Sequence, residues 1–234
     1  MQMNRTLILA SGGIDSTTCV AQVVSKLKVD EDPVCMLIFE YGQKHTKEID
    51  AALNVAKYYK DKVVPYILDI KSLFQEMGST KVCSLFTNSE LTLPQGAYKS
   101  RTEEKLPSTY VPFRNGIFLS IATSFAFANK YKNIMYGVHR DDIAAFAYPD
   151  CSISFINSMD SAIKFGTSSE VYLQAPFMGW NKAEVVAEGL KLNAPYHLTW
   201  SCYTGDKHPC GKCATCIDRA RAFELNDVED PANV

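Results

Sequence analysis

The sequence predicts an α/β fold, a doubly wound and mostly parallel sheet followed by a small four-cysteine knuckle. Three observations predict it. Apolar runs of strand length alternate with stretches of helical periodicity. A glycine turn sits at the first strand–helix junction, and Cys202, Cys210, Cys213 and Cys216 crowd together near the end. Two segments are expected in the 234 residues, an α/β domain over 1–195 and a metal-binding segment over 196–234.

The elements follow in order. Residues 6–10 are the first strand, and Ser11-Gly12-Gly13 is the turn after it. A helix is expected over 17–28. Residues 33–39 are almost continuously apolar, as suits a strand covered on both faces. Ile49, Ala52, Leu53, Ala56 and Tyr59 recur at helical spacing. Residues 63–68 are the third strand. From 71 to 109 periodicity is poor, and Gly78, Pro94, Gly96 and Pro107 interrupt it, which predicts a long loop of functional or mobile character. Residues 117–126 are apolar on almost every side and predict a helix buried against the sheet. Residues 133–139 form the fourth strand. Ser152 is placed to cap a helix running to 165. Residues 171–177 form the fifth strand. Asn181 and Glu184 stand at reciprocal capping positions before a helix over 185–192.

Composition narrows the function. Apolar residues make up 47% and charged residues 21%, an ordinary globular balance. A net charge of −2 gives no electrostatic case for nucleic-acid or membrane binding. No apolar run approaches the roughly 20 residues that span a bilayer. Residues 1–5 carry no signal-peptide pattern, so a cytoplasmic protein is expected. In a reducing compartment the eight cysteines are not read as disulfides. Cys19 and Cys35 fall in apolar runs and read as core, while Cys83 and Cys151 have no assigned chemistry.

The glycine turn carries the first chemical signal. Adjacent glycines let the backbone turn sharply and approach a ligand closely. Ser16, Thr17 and the free N–H groups of the helix start then face that ligand, and the helix dipole favours a phosphate. No lysine follows, so this is not a Walker-type loop, and the spacing also fails the dinucleotide fingerprint. The stretch S-G-G-x-D-S resembles the pyrophosphate loop of the ATP pyrophosphatase families. That resemblance implies an adenine nucleotide alpha hydrolase-like, Rossmann-type fold. It also implies cleavage of ATP between its α and β phosphates. The candidate nucleotide-binding residues are Ala10, Ser11, Gly12, Gly13, Ile14, Asp15, Ser16, Thr17 and Thr18.

Other candidates lie downstream. Arg114 and Asn115 fall at a helix start, where an arginine fork can bridge phosphate oxygens. Lys182 opposes the helix dipole at another helix start, which suggests that it meets phosphate. The stretch 140–151 mixes acids and aromatics with a rigid proline turn. Aromatics offer a flat base a stacking surface, and carboxylates accept its N–H groups. Phe146, Tyr148 and Asp150 are the candidate substrate-binding residues, suited to a purine-like heterocycle. The four cysteines have the spacing of a closed tetrahedral zinc site of structural type. An iron–sulfur cluster is the competing reading of four thiolates.

Together these motifs resemble the 7-cyano-7-deazaguanine synthase family. The resemblance rests on Ser11 to Thr18, Val111-Pro112-Phe113-Arg114-Asn115, Tyr148-Pro149-Asp150-Cys151, Asn181-Lys182-Ala183-Glu184, and Thr199 to Cys216. It implies that 7-carboxy-7-deazaguanine is adenylated, converted by ammonia to the amide, then activated by a second ATP and dehydrated to the nitrile. It further implies Mg²⁺ with the nucleotide and a homodimer. Asp15, Arg114 and Lys182 are the catalytic candidates: Arg114 and Lys182 against phosphate charge, Asp15 either on Mg²⁺ or as a helix cap. Three rivals stand beside this reading: an enzyme that stops at the amide or uses another carboxylate, a tRNA sulfur-transfer enzyme, and a non-catalytic nucleotide-binding scaffold.

Overall fold

A computed structural model describes residues 5–96, 106–143, 148–204 and 206–232. Among the described residues five strands form one sheet: β1 (Thr6–Leu9), β2 (Val34–Glu40), β3 (Val63–Asp69), β4 (Asn133–Met135) and β5 (Tyr172–Gln174). All pair in parallel, in the order β3-β2-β1-β4-β5. The chain runs outward from β1 to β3, then returns to the other side of β1 for β4. That reversal leaves a crevice at the carboxyl ends of β1 and β4.

Side-chain alternation along β1 and β2 builds two cores. Ile8, Ala10, Met36 and Ile38 face α1 (Ile14–Val24), α2 (Lys47–Tyr59), α7 (Lys182–Lys191) and α8 (Ala214–Glu224). Leu7, Leu9, Cys35, Leu37 and Phe39 face α4 (Arg114–Ala128) and α6 (Ile153–Gly166). Both faces of the central strands are therefore covered, which is why their sequences are continuously apolar. Ala222 and Phe223 of α8 belong to the first core, so the cysteine segment is packed onto the α/β layers.

Several boundaries differ from the sequence expectation. Helix α1 begins three residues earlier, because Gly13 is extended and Ile14 already packs inward with no exposure. The stretch from 71 onward is not all loop. Lys71–Glu76 forms a short helix, α3, whose Phe74 is fully buried among Tyr41, Phe86 and Phe118. Strands β4 and β5 keep three residues each. Helix α4 starts at Arg114 after Phe113, which takes a left-handed conformation at φ +53°. Ser152 caps α6 by accepting from Phe155 N, and Asn181 with Glu184 closes a full capping box on α7. A four-residue helix, α5 (Arg140–Ile143), follows β4.

Candidate active site

Gly12 turns the chain at φ +73°, and a Cβ there would stand 2.3 Å from Glu48 O and 2.6 Å from Ala52 N. The turn is therefore pressed against the backbone of α2, and glycine is the residue that fits. Gly12 O accepts from Trp200 N at 2.9 Å, which ties the cysteine segment to the loop. Ser16 Oγ accepts from Ser11 N at 3.3 Å and donates to Gly13 O at 3.3 Å. These bonds hold the backbone around the head of α1, where the N–H groups suit an anion.

The loop borders a cleft at the crevice of the sheet. Ala10, Ser11, Gly13, Ile14, Asp15 and Ser16 line it. Gly12, Thr17 and Thr18 sit behind that lining. Thr17 is buried, and Thr18 Oγ1 pairs with Tyr196 OH at 2.7 Å inside the core.

Charge gathers beside the loop. Lys182 Nζ lies 2.5 Å from Asp15 Oδ2 and 3.3 Å from His139 Nε2. The capping box aims Lys182 inward, and its backbone N–H donates to Asp141 Oδ2 at 2.8 Å. That carboxylate offsets the unfavourable placement of a cation at a helix start. Burial pushes the Asp15 carboxyl up, but Lys182 and His139 outweigh it and hold the carboxyl below its usual value. Asp15 Oδ1 is buried with no hydrogen-bond partner among the described residues, with His139 Nε2 3.8 Å away. An orphaned carboxylate oxygen beside a phosphate loop is a fitting ligand for Mg²⁺.

The opposite half of the cleft is aromatic. Tyr41, Phe118, Tyr136 and Tyr148 line it with Thr109, Arg114 and Cys151. Tyr148 OH pairs with Thr109 Oγ1 at 2.9 Å. Arg114 donates to Tyr41 OH at 3.3 Å and lies 5.8 Å from the Tyr41 and Phe118 ring centroids. Burial opposes its charge, yet Tyr41, Asp150 and Tyr136 outweigh that and keep the guanidinium protonated. Asp150 is turned away from the lining: its Oδ2 accepts from Asn115 N at 3.0 Å, serving the start of α4. Cys151 takes a hydrogen bond from Asn115 Nδ2 at 3.3 Å. Burial and the charges of Asp142 and Asp150 push its thiol well up, so it is neutral near pH 7 and poorly suited to nucleophilic attack. Phe146 lies outside the described residues.

Cys202, Cys210, Cys213 and Cys216 hold their sulfurs within 4.8 Å of one another. Backbone N–H groups of Cys210, Lys212 and Cys213 donate to the sulfurs of Cys202 and Cys210 at 3.3–3.4 Å. Such donors stabilise thiolates and fit a bound cation.

Tyr41, Phe118 and Tyr136 carry no functional signal in the sequence, where Tyr41 belongs to the loop after the second strand, Phe118 to an apolar helix and Tyr136 to the fourth strand; the fold brings all three to the cleft. His139 was visible only as the end of a strand.

The family described as queuosine biosynthesis protein QueC matches residues 5–227. A 7-cyano-7-deazaguanine synthase of Caldicellulosiruptor saccharolyticus is 38% identical over 228 residues, covering 97% of this chain and 94% of that protein. The corresponding synthase of Marinobacter nauticus is 35% identical over 226 residues, covering 96% and 95%. The U34-tRNA thiolase NcsA of Methanococcus maripaludis, solved with its 4Fe-4S cluster, has a TM-score of 0.52 at 17% identity, covering 96% of this chain and 66% of that one. The NH3-dependent NAD synthetase of Campylobacter jejuni has a TM-score of 0.50 at 18% identity, covering 97% and 77%. These two likenesses concern the fold.

Proposed function

The chain belongs to the QueC family of queuosine biosynthesis proteins, and from that premise we propose that it converts 7-carboxy-7-deazaguanine to 7-cyano-7-deazaguanine. The observation that carries this reading is the cleft itself: a phosphate loop with Lys182 at one end and a tyrosine-walled pocket at the other.

ATP lies with its β and γ phosphates on the loop 10–16. The substrate ring lies against the tyrosines, among them Tyr148, which lines the cleft as the sequence reading expects of a substrate contact. The carboxylate attacks the α phosphate and pyrophosphate leaves. Ammonia then displaces AMP to give the amide. A second ATP activates the amide oxygen, and loss of AMP leaves the nitrile. Lys182 moves from Asp15 to the phosphates and neutralises charge that builds there. Asp15 would hold Mg²⁺, which would supply further charge neutralisation when bound. No covalent enzyme intermediate is required, in keeping with a neutral Cys151.

Cys202, Cys210, Cys213 and Cys216 would hold one zinc ion. Four thiolates about 2.3 Å from a tetrahedral zinc stand about 3.8 Å apart, and sulfurs within 4.8 Å support that spacing. A cluster that gives each thiolate its own iron holds the sulfurs farther apart. The protein works on small molecules as a cytoplasmic homodimer without nucleic acid, a reading supported by the family and by the net charge of −2.

The test is product mass after incubation with 7-carboxy-7-deazaguanine, ATP, Mg²⁺ and ammonium. Nitrile is the expected product. Amide alone would move the function to amide synthesis, and absence of AMP would remove the activity.

A further inference from the structure

We propose that Arg114 binds the carboxylate of the acid substrate and so sets the preference between the acid and the amide within one site. This rests on the acid-to-nitrile reading above. The cleft has two described cations with different partners. Lys182 is paired with Asp15 at 2.5 Å. Arg114 has no acidic side chain within 4 Å among the described residues. Its guanidinium has five N–H donors. The structure uses them on Asn115 Oδ1 at 3.4 Å and Tyr41 OH at 3.3 Å, both long and neutral.

The nearby acid, Asp150, is already engaged by Asn115 N at 3.0 Å. Asp150 supplies negative charge to Arg114 without a direct ion pair, so the guanidinium keeps N–H donors free for an incoming anion.

Location selects the anion. Arg114 contacts Tyr41 and lies near the Phe118 ring, and its charge acts on Asp150, Tyr136 and Cys151. These contacts put Arg114 at the tyrosine half, where the proposed function puts the ring of the substrate; the place against phosphate expected from sequence is the alternative that the experiment decides. A planar fork matches a carboxylate with two parallel hydrogen bonds. The neutral amide offers a single carbonyl acceptor and no charge.

The experiment compares two substrates in one enzyme. Arg114→Gln and Arg114→Lys are assayed for AMP release with the acid plus ammonium, and separately with the amide. Truncating one partner of a buried charge pair weakens binding on the order of 100-fold. The expected result is a loss of about that size in kcat/KM for the acid, carried by KM, with a loss for the amide at least about ten times smaller. Arg114→Lys keeps the charge without the fork and recovers part of the acid activity. Equal losses on both substrates, or a raised KM for ATP, overturn the inference and return Arg114 to the phosphates. If Arg114→Gln fails to fold, Arg114→Lys decides: an unchanged acid-to-amide ratio overturns the inference. Wild-type protein that turns over neither substrate overturns the proposed function and this inference together.

Discussion

Replacing Gly12 with alanine tests whether the loop is locked against α2. Two costs add. The residue sits at φ +73°, and a left-handed conformation costs an L-residue roughly 1–2 kcal/mol. The new Cβ would stand 2.3 Å from Glu48 O and 2.6 Å from Ala52 N. Both atoms are helix backbone, so a small rotamer change cannot relieve the clash. Shifting packed elements to admit a methyl costs roughly 1–3 kcal/mol. The total is about 2–5 kcal/mol, which lowers Tm by roughly 4–20 °C in a domain of this size. Gly13→Ala is the internal comparison, because its Cβ would meet Ser11 Oγ at 3.4 Å and Trp200 O at 3.7 Å, ordinary contacts. Thermal melts followed by circular dichroism, with ATP affinity by calorimetry, read both variants. Gly12→Ala is expected to lose stability and ATP binding together, while Gly13→Ala melts near wild type. Equal melting temperatures for Gly12→Ala and wild type would refute the reasoning.

Three more outcomes follow from the same geometry. Asp15 titrates below its usual value when folded, so its pairing contributes stability above the unfolded pKa of about 3.9 and loses it as pH falls through the depressed folded value. The gap in urea midpoint between wild type and Asp15→Asn is therefore expected to close only below about pH 4, and a gap that stays constant down to pH 2 would contradict this. Elemental analysis is expected to find one zinc per chain. Cys213→Ser or strong chelation should lower Tm on the order of 5–15 °C, because metal binding is folding energy for this segment; a metal-free protein of unchanged stability would count against the site. Ser152→Ala removes the acceptor for Phe155 N at 3.2 Å and should cost about 1 kcal/mol in denaturant titration.

Local patterns made most of the architecture legible. The apolar run at 33–39 announced a strand with both faces covered, and β2 is that strand. The capping box at Asn181 placed α7, and with it Lys182. What escaped was tertiary. Asp15 and Lys182 are 167 positions apart, and no local pattern pairs them. Helix α3 was missed because six residues are too short for periodicity to register, and its one anchor, Phe74, is buried by partners distant in sequence. Asp150 read as a ligand contact because a carboxylate in an aromatic loop suits a base. The fold also needs an acceptor at the start of α4, and there the carboxylate is found. The cleft tyrosines were hidden for a related reason: Tyr41 and Tyr136 carry no functional signal in the sequence, and it is the switch in strand order that opens the crevice beside them.

The central claim is that ATP activates the oxygen of the substrate twice in one cleft, each time as an adenylate. Mass spectrometry of AMP formed from substrate labelled with ¹⁸O at both carboxylate oxygens tests it most directly. The account predicts two AMP per nitrile, each carrying one ¹⁸O. Label recovered in inorganic phosphate with ADP as the nucleotide product, or AMP free of ¹⁸O, would contradict it.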